Sequence, residues 1–157
     1  MAFEAKPCQE RFVKCCMKEV EIWIDAKPDV VWEKAIHEID KWWKTNLHEP
    51  SLGVYIEPQV GGRYWEKFDD DGNGVLLGTI TYMEAPSTIH FTASSGMAGI
   101  ALGTNTWRFM DVDGGTLFQF CFQIMTEYPE RCLSPKFDDK TTELLQSLKA
   151  YVEGDGK

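Results

Sequence analysis

The sequence predicts an α+β domain: a curved antiparallel sheet of about seven strands crossed by a long C-terminal helix, with two short helices between the first and second strands. Three observations carry this. Residues 18–25, "KEVEIWID", alternate apolar and polar, which marks a half-buried strand. From Val54 to about Met125 six further strand-like runs follow one another with only turn residues between them. Parallel pairing needs long crossovers, so such a run is an antiparallel meander. The chain then closes on "DDKTTELLQSLKAYVEG", where Leu144, Leu145, Leu148, Tyr151 and Val152 recur at helical spacing.

Residues 1–17 read as an N-terminal arm and 18–154 as a single domain, with no linker or repeat dividing them. In "AKPDVVWEKAIHEIDKWW", Pro28 suits the first turn of a helix. Val31, Trp32, Ala35, Ile36, Ile39, Trp42 and Trp43 form an apolar stripe on one bent helix or two short ones. The Trp pair serves to anchor this segment to the sheet, with one ring also open to a ligand role. The six strands are expected at Val54–Pro58, Arg63–Phe68, Val75–Glu84, Thr88–Ala93, Thr104–Asp111 and Thr116–Met125. Gly61-Gly62, Asp71-Gly72, Ala85-Pro86-Ser87, the Gly-rich 94–103 and Asp113-Gly114-Gly115 supply the turns. Asp138 or Asp139 is the expected cap of the closing helix, and Gly154 its end.

Bulk properties narrow the function. The chain of 157 residues is 43% hydrophobic and 13% aromatic, enough for a real core and for rings that line a cavity. A formal charge of −9 disfavours nucleic acid and anionic membrane surfaces. No apolar run reaches the ~20 residues of a membrane span, and the N-terminus does not read as a signal peptide. The five Cys are odd in number and irregular in spacing, which fits reduced thiols and a cytoplasmic location better than a disulfide framework. Neither they nor the three separate His make zinc-ligand pairs, so no metal or cofactor is expected.

The stretch "FDDDGNGV" at 68–75 places Asp69, Asp71 and Asn73 at alternate positions, as a calcium loop does. Such a loop needs a bidentate carboxylate at its twelfth position and flanking helices. Counting from Asp69 the twelfth residue is Ile80, and both flanks are strand-like. A polar hairpin tip is the better reading.

Several words resemble the START-like (SRPBCC) superfamily, which shares a helix-grip fold with the birch-pollen-allergen-like proteins. "VEIWIDAKPDVVWEKAI" is similar to its opening strand and "Ala-Pro-x-x-Val-Trp", with Lys27 inserted. "DKWW", "VGGRYWEKFDDDGNG", "TITYMEAPSTIHFT", "TNTWRFMDVDGGTLFQF" and "LLQSLKAYVEG" resemble the branch of activator-of-heat-shock-ATPase homologues. The chain departs from that branch in the polar "MTEYPERCLSPKFDD" before the last helix and in its longer N-terminal arm.

The resemblance implies a sheet wrapped around the last helix with a cavity between them. Its expected lining is Trp43, Tyr64, Glu66, Phe68, Trp107, Phe109, Phe118, Phe120, Phe122, Leu144, Leu148 and Tyr151. The expected function is binding or carriage of a small hydrophobic molecule. The alternatives are an enzyme resembling polyketide cyclases and dehydratases, or a protein-binding module like the chaperone ATPase activators. Acid–base candidates are Glu66, which alternation turns inward, and His90, which it turns outward. Thr79, Thr81 and Tyr82 are the further groups an enzyme would have to gather. Arg63 and Arg108 are expected on the outer face.

Overall fold

The computed structural model describes residues 3–93, 96 and 98–154. Ser94, Ser95 and Met97 of the Gly-rich 94–103 stretch lie outside the described residues. Seven strands form one antiparallel sheet: β1 (Lys14–Ile24), β2 (Gly53–Ile56), β3 (Arg63–Lys67), β4 (Gly74–Glu84), β5 (Thr88–Ala93), β6 (Ala101–Val112) and β7 (Gly115–Thr126). Their spatial order is β1-β7-β6-β5-β4-β3-β2. The meander from β2 to β7 is thus unbroken, and β1 returns to pair with the last strand. The chain has a helix-grip fold.

Between β1 and β2 the apolar stripe divides into α1 (Pro28–Trp32), a π-helical turn (Glu33–His37) and α2 (Ile39–Trp42). The indole of Trp42 donates to the carbonyls of Lys34 (3.1 Å) and Ala35 (3.3 Å). These bonds lie where the helix breaks at Glu38 (φ −118°, ψ 28°). The stripe packs on the sheet through ring pairs: Trp32 on Phe109 at 5.1 Å and Trp42 on Trp107 at 6.4 Å between centroids.

The polar segment before the last helix is not a plain loop. It forms the short α3 (Pro129–Cys132), and α4 runs over Pro135–Gly154, three residues longer at its start than the apolar stripe indicated. Pro135 sets the first helical turn, and Ser134 Oγ accepts from the Phe137 N–H at 3.3 Å. Ser134 therefore caps the helix rather than Asp138 or Asp139. Asp138 instead pairs with Lys18 of β1 at 2.6 Å. The 20 residues of α4 span about 30 Å across the sheet. Thr141, Leu144, Leu145, Leu148 and Val152 are its buried face.

β1 begins four residues before the visible alternation, so part of the expected arm is strand. Cys16, Lys18, Val20, Ile22 and Ile24 all face the same way in its burial pattern. Lys18 breaks the apolar signal, and its pairing with Asp138 explains how a cation is tolerated there. β6 likewise starts at Ala101, inside the stretch expected as a turn. Gly103 can sit in mid-strand because a Cβ there would come within 2.1 Å of the Gln123 carbonyl oxygen. The β6–β7 hairpin turns at Asp113 (φ 53°) and Gly114 (φ 80°), the left-handed pair that a two-residue turn demands.

At 68–75 the acidic tip is closed on itself. Asp69 accepts from the N–H of Asp71 (2.9 Å) and Asn73 (3.1 Å), and from the Asn73 amide at 2.7 Å. These bonds hold its carboxyl below the usual carboxylate range. Lys67 pairs with Asp70 at 2.6 Å. Among the described residues no group of three His, Cys, Asp or Glu converges as a metal site. No described helix is long and apolar enough to cross a membrane.

Trp107 is fully buried and lies 5.2–6.4 Å, centroid to centroid, from Trp42, Tyr64, Phe91, Phe118 and Phe120. Truncation of such a ring leaves a large cavity. Trp107→Ala is expected to cost about 3–5 kcal/mol of unfolding free energy in urea titration. Leu102→Ala on the outer face, 64% exposed, is expected to cost no more than about 0.5 kcal/mol. A loss below about 1 kcal/mol for Trp107→Ala would refute this account of the core.

Candidate functional site

Side-chain size along the inner face of the sheet decides where space remains. Toward one end of the strands Trp107, Phe109, Phe118, Ile89 and Ile80 fill the layer beneath α1 and α2. Toward the other end the inward positions of β5 and β6 are Ala93, Ala101 and Gly103, with Asn105 between them and Trp107. Small residues cannot reach α4. A cavity of about 260 Å³ remains between the sheet, the first half of α4 and the segment after α2.

Its walls are mostly apolar. Trp43, Tyr64, Phe120, Phe122 and Phe137 supply rings, and Leu47, Leu77, Ala93 and Leu144 supply aliphatic surface. Trp43 is fixed by its indole N–H, which donates to the Thr45 carbonyl at 2.8 Å, and by an edge contact with Tyr64 at 5.6 Å. The two tryptophans therefore divide the work: Trp42 anchors the helices in the core, and Trp43 faces the cavity.

The polar groups are few. Glu66 is fully buried. Its Oε2 accepts from the Leu47 backbone N–H at 2.8 Å, while Oε1 is buried with no hydrogen-bond partner among the described residues. Asn105 accepts through Oδ1 from the Trp107 indole at 3.1 Å. An indole N–H can only donate, so this bond settles which way the amide points and leaves its NH₂ as a donor. Thr141 donates to the Phe137 carbonyl at 2.8 Å. Lys140 is exposed at the rim. Burial, and then the negative charge of Glu66, push the Tyr64 phenol well above its ordinary value.

The structure brings six of the expected lining residues together: Trp43, Tyr64, Glu66, Phe120, Phe122 and Leu144. The other six lie elsewhere. Trp107, Phe109, Phe118 and Leu148 are packed in the core, because they stand at the filled end of the sheet or beneath it. Phe68 stacks on His48 at 4.4 Å. Tyr151 is hydrogen-bonded to Glu38. His90 is on the outer face, stacked on Tyr82 at 4.8 Å, and is not part of the cavity. Arg63 pairs outward with Glu57, and Arg108 with Gln119.

Lining residues outside the expected set include Asn105, Ala93, Phe137, Thr141 and Leu77. Asn105 and Ala93 share the alternation of Trp107 and Phe91, so both were legible. Phe137 and Thr141 fall on the stripe of Leu144 and Leu148 once Pro135 is taken as the helix start. Leu77 carried no such signal. The β3–β4 register shifts between Tyr64 and Trp65, and this bulge buries Leu77 and Gly78 in succession.

No family model matches the chain, and no curated protein matches it. Solved structures do. An uncharacterized protein from Rhizobium leguminosarum superimposes with a TM-score of 0.69 at 18% identity, covering 92% of this chain and 99% of that one. A protein of unknown function from Staphylococcus aureus has a TM-score of 0.69 at 14% identity, covering 92% and 97%. Ara h 8.0201, a Bet v 1-like allergen, has a TM-score of 0.61 at 16% identity, covering 90% and 99%. At these identities the likeness is one of fold.

Two outcomes follow from the site's electrostatics. Glu66→Gln keeps the acceptor for Leu47 but removes a buried charge, so unfolding free energy should stay level or rise; a loss above about 1 kcal/mol would show that the charge is stabilising. The raised Tyr64 phenol keeps its proton in the folded chain after an unfolded tyrosine, near about 10, has lost it. Its contribution is complete below that pH and is lost as pH rises toward the folded value. Tyr64→Phe should therefore flatten the alkaline fall in stability; an unchanged slope would disprove the assignment.

Proposed function

We propose that this chain binds or carries a small molecule with an apolar body in the cavity between the sheet and α4. The observation that carries the reading is the cavity itself: about 260 Å³, walled by aromatic rings, with very few polar groups. Sites that bury small apolar ligands have this composition. The START-like resemblance and the structural likeness to a Bet v 1-like allergen support it at the level of fold. The branch of heat-shock-ATPase-activator homologues is the proposed placement within that superfamily, on the words "DKWW" and "VGGRYWEKFDDDGNG". A cytoplasmic location is proposed on the cysteines, of which Cys8, Cys15, Cys16 and Cys121 are free.

One observation favours a second reading. Glu66 is buried beside Tyr64 with one oxygen unpartnered among the described residues, as a general acid or base would be. An acid–base enzyme resembling the polyketide cyclases would use that oxygen on a bound substrate. It would convert what it binds, and Glu66→Gln would abolish the conversion. A carrier would return its ligand unaltered.

Native mass spectrometry before and after incubation with a cell extract tests the first reading. A reproducible added mass is expected. Phe120→Ala, which removes one ring from the cavity wall, should lower adduct occupancy at least about tenfold, while His90→Ala should leave it unchanged. Equal losses for both variants, or no adduct under gentle conditions, would refute binding in this cavity.

A further inference from the structure

We infer that the ligand class of this cavity is an apolar-bodied organic amine, bound as its ammonium form with an N–H directed at Glu66 Oε1. The inference rests on the binding reading above and specifies its chemistry. Three independent features of the site point the same way. The first is the carboxylate: Glu66 is fully buried and its Oε1 has no partner among the described residues. Its other oxygen is already occupied by the Leu47 N–H. A buried charge is stabilised by an opposite charge that also hydrogen-bonds to it. An ammonium does both, and charge-assisted bonds are about twice as strong as neutral ones.

The second feature is the wall. Trp43, Tyr64, Phe120 and Phe122 line the same cavity as that carboxylate. Ring faces attract cations, and more strongly where water is excluded. The third is the long-range field. A chain of formal charge −9 concentrates cations near its surface. Lys140 opposes this as the cation among the described lining residues, but it is exposed at the rim, where solvent and salt screen it. Asn105 presents an NH₂ donor, which serves an alcohol oxygen and not an ammonium. Against such neutral groups the carboxylate is the stronger partner.

Matched probes separate them. Naphthylethylamine, naphthylethanol and ethylnaphthalene share one apolar body and differ in the terminal group. Primary amines of this kind titrate near about 10, so the amine is protonated at pH 7. Calorimetric titration of the full chain should give the amine at least about tenfold tighter binding than the alcohol. In Glu66→Gln, which keeps the shape and the Leu47 acceptor, that preference should fall to within about twofold, since the charge is gone. Alcohol or hydrocarbon binding as tight as the amine would overturn the inference while leaving apolar binding intact. A preference that survives in Glu66→Gln would overturn the role of the carboxylate. Failure of all three probes to bind would overturn both readings together. The comparison on the unaltered chain decides the ligand class even if the variant does not fold.

Discussion

The burial of Trp107 at the middle of β6 constrains most of what surrounds it. Five other rings meet it from β3, β5, β7 and the helical segment, so one side chain ties together elements far apart in sequence. Its apolar surface drives the packing. Its N–H imposes a second condition, because a buried donor left unpaired is costly. Asn105, two residues earlier on the same face, meets that condition. A polar residue on the inner face is thereby required by the core, and the same residue becomes a wall of the cavity. Packing and site chemistry are joined at this pair.

The position of the empty space follows from the same strand. Along β6 the inward side chains are large at Phe109 and Trp107 and small from Asn105 through Gly103 to Ala101. The sheet is filled at one end and open at the other, and α4 spans both. The helix is held over the open end by Phe137 against Phe122 and by the Lys18–Asp138 pair. It is held over the filled end by Leu148 and Val152, and by Lys149, whose ammonium reaches the Trp23 carbonyl at 2.7 Å. Anchored at both ends, the helix cannot drop into the gap that the small residues leave.

Much of this architecture was legible as pattern. Alternation and turn chemistry are local, and they located six strands after the helical segment with ends within three residues. Burial side was legible too: Tyr64 and Glu66 inward, Arg63, Arg108 and His90 outward. What escaped was whatever depends on a partner distant in the chain. Lys18 hid the first part of β1 because the acid that neutralises it is 120 residues away in α4. Gly103 reads as a turn until the Gln123 carbonyl across from it is known. Leu77 faces inward only because a bulge shifts the β3–β4 register. The cavity lining was half legible for a related reason. Alternation tells which face a ring occupies, but not how far along the sheet the filling stops. Trp107, Phe109 and Phe118 share a face with Phe120 and Phe122, yet lie on the packed side of that limit.

The 2.8 Å bond between the Leu47 N–H and Glu66 Oε2 has a mechanical side. A carboxylate is planar and rigid, so its two oxygens move as one body. Whatever fixes Oε2 also aims Oε1. The segment after α2, which carries Leu47 and forms part of the cavity wall, is therefore geared to the direction of the buried acceptor. A displacement of that segment turns the oxygen, and a pull on the oxygen is transmitted to the segment. The wall of the cavity and the charge at its base are two ends of a single lever.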